Sequence, residues 1–126
     1  TNASSVTAIP QSMACSVNSS GLLIPVDVSN PSNWQSFVGY ANIRIPTSSL
    51  GPVIANGRLE NITTSFAVGS PLWIGKDGHP TNIIPTVGIN GFLSGDAVIF
   101  MGVLVANETV PSERDIALFT QVTGIL

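Results

Sequence analysis

Apolar residues come in short runs along this chain, and each run is cut off within a few residues by glycine, proline or a cluster of serine, threonine and asparagine. Runs rich in Val, Ile, Leu, Phe and Thr occupy residues 13–17, 22–28, 37–45, 52–62, 72–74, 82–84, 97–105 and 116–122. No window of a dozen residues carries the spacing of an amphipathic helix. Short β-type runs separated by regular turn signals predict an all-β fold, a small β-barrel or sandwich of about seven to nine short strands with at most one short helical turn. That turn is expected at 30–36, NPSNWQS, with Asn30 as cap and Pro31 at the first helical position.

Within 37–45, extended chain places Phe37, Gly39, Ala41, Ile43 and Ile45 on one face and Val38, Tyr40, Asn42 and Arg44 on the other, as a sheet with one buried side requires. Two apolar runs are interrupted by glycine in comparable places, VGYANIRI from Val38 and MGVLVANE from Met101. Each glycine marks an expected bulge or close backbone approach. The Ser- and Asn-rich beginning, residues 1–21, is expected to form an extended N-terminal arm that depends on docking, with the barrel over 22–126. The start, TNASSVTAIP, has neither the basic region nor the apolar core of a signal peptide. The longest apolar run, 97–106, is about half the length a spanning helix needs, so it is read as a core strand with no role in a membrane.

Charge changes this picture more than any motif does. Charged residues make up 9% of the chain, with seven acidic and four basic residues and a net charge of −3. A typical soluble domain carries about 25%. So few ionised groups leave a surface of neutral polar and apolar side chains, which predicts association with further subunits. Arg44, Arg58, Lys76 and Arg114 are scattered, which excludes the cationic face that nucleic acid requires. Cys15 is the single cysteine. It admits no internal disulfide or thiolate cage and reads as a small buried hydrophobe.

The candidate chemistry is thin. Lys76, Asp77 and His79 lie together in PLWIGKDGHPTNIIPTVG, but Asp77-Gly78 between two β-type runs is a hairpin signal that accounts for them without catalysis. No second histidine completes a metal site, and no phosphate-binding glycine loop, EF-hand or nucleophile elbow is present. Glu113 and Asp115 share a strand face at two-residue spacing, yet PSERD reads as a charged loop. The sequons at Asn2, Asn18, Asn61 and Asn107 arise readily in a chain this rich in Asn, Ser and Thr. The chain is therefore expected to be no enzyme and to carry no cofactor or metal. Trp34, Phe37, Tyr40, Trp73 and Phe119 are the candidate contact residues, as subunit anchors or, on a second reading, as a platform for carbohydrate.

The order LLIPVDVSN, FVGYANIRI, GPVIANGRLEN, VGSPLWIGKDGHPTNIIP, GDAVIFMGVLVAN and TQVTGIL, spanning 22–126, resembles small β-barrel modules of tailed-bacteriophage virion proteins. The shared pattern is a Gly-x-Pro-apolar strand at 69–74, the Asp77-Gly78 hairpin, a short polar strand at 81–85 and a glycine-interrupted strand at 101–103. The resemblance implies a building block of a virion, assembled in the host cytoplasm, with no catalytic residues. Fibre proteins of this type are often longer, with trimeric shafts, so a self-contained barrel implies a capsid decoration, or cement, protein. Its implied partners are copies of itself, as a homotrimer, and the major capsid protein or other virion proteins. A tail-fibre or baseplate component, with a receptor or carbohydrate-binding role, is the alternative.

Overall fold

The computed structural model describes residues 2–62 and 64–126. In chain order the elements are β1 (Asn2–Ser4), β2 (Ala14–Val17), β3 (Leu23–Pro25), α1 (Pro31–Trp34), β4 (Phe37–Ala41), β5 (Leu50–Ile54), β6 (Gly57–Ile62), β7 (Pro71–Ile74), β8 (Pro80–Thr81), β9 (Ala97–Ala106) and β10 (Arg114–Ile125). The fold is all-β, as the turn spacing predicts, with half-barrel curl and a single helical turn. Two five-stranded sheets run in the orders β1-β5-β4-β2-β3 and β6-β10-β9-β7-β8, and every strand pair is antiparallel. The helical turn forms where expected, with the Asn30 side chain accepting from the Ser32 amide at 3.1 Å.

The strand reading needs four corrections. Ten strands are present among the described residues, in part because the run 52–62 is broken at Ala55-Asn56, so β5 lies in the first sheet and β6 in the second. Residues 82–84 are no strand, since the Thr81 hydroxyl accepts the Ile83 amide at 3.2 Å and turns the chain. The expected arm is built into the first sheet: β2 lies between β4 and β3, and Ile9, Ala14 and Cys15 are fully buried. A strand in mid-sheet has both edges paired, which an undocked arm lacks.

The fourth correction concerns which faces are buried. Phe37 and Tyr40, three residues apart, face the main core between the two sheets with their rings edge to face at 5.1 Å, whereas Val38 and Ala41 face a second cluster. Gly39 is the cause. It sits where the register against β2 shifts between Cys15 and Ser16, and the extra residue flips the alternation. A Cβ there would come within 2.9 Å of the Ile54 carbonyl carbon. The first sheet thus buries both faces, Ala14 and Tyr40 toward the second sheet, and Cys15, Leu23, Ala41 and Val53 toward Ile9 and Ile45. Gly102 stands at the corresponding bulge of the second sheet, where the β7 register shifts opposite it. A Cβ at Gly102 would overlap the Ala117 carbonyl oxygen of β10.

Burial in the second cluster pushes the Cys15 thiol up to about 11, an effect that a backbone hydrogen bond at Ala41 only partly offsets. At pH 8 the folded chain then holds almost no thiolate, and thiolate is the reactive form. Native protein is expected to resist a thiol reagent at pH 8 and to take up one equivalent in denaturant. Rapid labelling of native protein would contradict the burial of Cys15.

Candidate functional site

Lys76, Asp77 and His79 border one open cleft of about 510 Å³ with Thr81, Asn90 and Phe92, but no hydrogen bond joins their side chains to one another among the described residues. Gly75 to His79 form the loop between β7 and β8, closed by the Gly75 amide to the His79 carbonyl at 2.7 Å and the Gly78 amide to the Gly75 carbonyl at 3.0 Å. Gly78, at φ 89, is the left-handed residue; Asp77 is not, so the turn differs from the two-residue form expected from Asp-Gly. Asp77 accepts the His79 amide at 3.1 Å and remains exposed. Lys76 swings away and donates to Asp96 at 2.5 Å, while Asp96 also accepts the Leu93 amide at 2.9 Å. Asp96, with its side chain 3% exposed, therefore ties the hairpin to the base of the connection 82–96. Next to it, the Gly95 amide donates to the Leu126 carbonyl at 2.6 Å and the Leu126 amide to the Asp96 carbonyl at 2.8 Å.

Glu113 and Asp115 part company in the same way. Asp115 is buried at the start of β10, and its carboxylate accepts from Arg58 Nε at 2.9 Å, the Asn61 amide at 3.1 Å and Asn107 Nδ2 at 2.8 Å. The β6 register shifts opposite Asp115, which leaves the Asn61 amide outside the ladder, and the carboxylate takes it up. Glu113 stays in the preceding turn, outside this network. Sequence reasoning paired Asp115 with Glu113 in a charged loop and gave no sign of its burial, and it missed Asp96.

Of the sequon asparagines, Asn61 and Asn107 are bonded to each other at 2.8 Å, and Asn18 accepts the Ser20 and Leu22 amides of its own turn. The Asn2 side chain, like Thr63 of the Asn61 sequon, lies outside the described residues.

Both carboxylates titrate below the usual range. Burial pushes each one up, but for Asp96 the Lys76 and Leu93 hydrogen bonds and the Lys76 charge outweigh it, and for Asp115 the Asn107, Asn61 and Arg58 groups do. A carboxyl lowered in the folded state stabilises the fold above its unfolded value, and this is lost as pH falls through the lowered folded one. Tm is therefore expected to fall below about pH 4, near the unfolded aspartate value, and Asp96→Asn should flatten part of that fall. A Tm that rises on acidification would contradict the ion pairs.

A cleft of about 200 Å³ lies beside His79, lined by Ser12, Thr64, Pro80 and apolar Ile62, Phe66, Leu72, Leu104 and Ile116. No acidic side chain lines it, and Ser12 and His79 share no hydrogen bond among the described residues. No group of three or more His, Cys, Asp or Glu residues suited to a metal ion occurs among the described residues.

The five candidate contact residues divide. Tyr40 is fully buried, its hydroxyl paired with Thr120 Oγ1 at 2.8 Å, so it offers no contact surface. Trp34 and Phe37 are half-buried against the main core. Trp73 is half-buried, edge-on to Phe100 at 5.9 Å. Phe119 is 70% exposed.

The sequence reading also missed where the exposed apolar surface lies. Ile83, Ile84, Val87, Ile89 and Leu93 all project from the connection 82–96, and Val122 and Ile125 accompany Phe119 on β10. These side chains stand on fixed backbone. Phe92 anchors the connection in the main core, the Gly88 amide closes onto the Phe92 carbonyl at 2.8 Å, and Asp96 clamps the base. The signal in the sequence was the distribution of charge, since neither 78–95 nor 116–126 contains a Lys, Arg, Asp or Glu.

The chain matches no protein-family model, no curated protein and no solved structure.

Proposed function

We propose that this chain is a structural protein that works by binding: a bacteriophage capsid decoration subunit that cements an assembled particle. One observation carries the reading. Uncharged apolar side chains are displayed in two groups, on residues 82–95, closed by backbone hydrogen bonds and anchored by Phe92, and at the end of β10, paired along one edge with β9. Exposed large apolar side chains grouped on one segment of a folded chain favour contact with other macromolecules. Backbone fixed before contact loses little entropy on binding, so more of the buried area is realised as affinity.

The virion assignment itself comes from the motif order of residues 22–126. A subunit that binds only the assembled shell shifts the equilibrium toward that shell by mass action. Weak individual contacts suffice when many copies bind side by side. Contacts between neutral groups are little screened by salt, so binding to particles is expected to change by less than about threefold between low salt and about 1 M salt. The test is co-sedimentation of purified chain with particles stripped of it. Binding lost in step with ionic strength would overturn this mode of attachment, and no binding at any salt would overturn the role.

A further inference from the structure

Residues 119–125 of β10 form strand whose outer edge is unpaired among the described residues. β6 pairs with β10 from Arg114 to Leu118 and stops at Gly57, whereas β9 continues along the other edge to Ile125. Gln121, Val122, Thr123, Gly124 and Ile125 are all exposed. Five consecutive exposed residues leave both faces of this stretch in solvent together with the edge. Edges are ordinarily guarded by lysine, proline, a bulge or brevity. The segment 116–126, IALFTQVTGIL, contains no charged residue and no proline, and the two register shifts against β9 bend it without charging it.

We infer that this free edge pairs antiparallel with the same edge of a second copy of the chain. The inference rests on the reading of the protein as a subunit of an assembly. A two-fold axis at Val122, the midpoint of the open stretch, sets Phe119 against Ile125, Gln121 against Thr123 and Val122 against itself, in a ladder interrupted on each side where β10 is bulged against β9. Apolar residues then oppose apolar ones, polar oppose polar, and no like charges are brought together. A foreign strand would find no charge here to select it, whereas an identical strand supplies the matching pattern. Pairing of identical antiparallel strands is isologous, so it yields dimers, in place of the closed trimer that the motif resemblance implies. One strand pair buries less than the roughly 1,000 Å² of a stable interface, so the dimer is weak in solution and gains from neighbours already held on a surface.

Sedimentation equilibrium from about 1 μM to about 1 mM tests the pairing, with affinity in the range where one strand pair falls. Wild type is expected to pass from monomer to dimer. Val122→Lys and Val122→Glu, each shown folded by circular dichroism, should stay monomeric alone and regain the dimer when mixed in equal amounts. If either variant fails to fold, amide exchange on wild type should show protection of 119–125 rising with concentration. Wild type monomeric throughout, a trimer that both substitutions leave intact, a mixture that remains monomeric, or exchange independent of concentration would each overturn the pairing. Monomeric wild type that still binds particles defeats this inference alone; a dimer that binds no particle defeats the proposed function alone.

Discussion

Gly102→Ala is expected to remove much of the chain's stability, about 3 kcal/mol or more, because the added methyl has no space to enter. Its nearest neighbours are the carbonyl of Ala117 and the Cα of Leu118, which belong to the backbone of β10 and cannot rotate aside. β9 and β10 run together over most of their length, so a displacement there is transmitted along the central pair of the second sheet. Folded domains are stable by only about 5–15 kcal/mol, so one such clash is a large fraction of the whole. Gly124→Ala is the control, since nothing lies within 4 Å of a Cβ at that position. It should change stability by no more than about 0.5 kcal/mol. Urea unfolding of the two variants checks the contrast, and equal effects would contradict the close approach of β9 and β10.

Asp115→Ala should come next, at about 2–4 kcal/mol, and the cost comes from what it leaves behind. The Asn61 amide and the Asn107 side-chain amide lose their acceptor where the carboxylate was buried beneath them. Arg58→Ala should cost under about 1 kcal/mol, because the Arg58 side chain is 43% exposed and its ion pair is screened. The account thus predicts that the two partners of one ion pair differ severalfold when each is removed. Similar losses, read from urea midpoints at unchanged slope, would show that the charge pair dominates and the amide contacts do not.

What could be read in advance was what depends on near neighbours in the chain. The Asn30 cap, the hairpin near Asp77-Gly78, the burial of Cys15 and the glycine-marked bulges at 39 and 102 all follow from local stereochemistry or the scale of a single side chain. Assignments that depend on distant pairing went astray. Tyr40 was placed opposite Phe37 because alternation was carried through Gly39, where the bulge reverses it. Residues 1–21 looked like an arm because their apolar residues are sparse, yet β2 is held by partners that lie well beyond it in sequence, in β3 and β4. Asp115 was grouped with Glu113 in a charged loop and Asp96 carried no local signal, because their partners, Arg58, Asn61 and Asn107 for the first and Lys76 for the second, are gathered only by the fold. Among the aromatic candidates, sequence had no means to separate exposed Phe119 from buried Tyr40, since both stand in apolar runs.

The polar residues near His79 are a further case of proximity in sequence in which the side-chain partners lie elsewhere. Lys76 serves Asp96, Asp77 serves the His79 amide of its own turn, and the His79 side chain forms no hydrogen bond with either among the described residues, although all three border one cleft. His79→Ala is accordingly expected to leave particle binding and assembly unchanged.

Cryo-electron microscopy of particles purified from the source of this chain tests the cement role most directly. The role predicts density for the two-sheet fold on the outer face of the head, lying across junctions between capsomers, with residues 82–95 or the end of β10 buried in contacts. Heads that bear no such density, with the chain found only at the tail or only as free monomer, would contradict it.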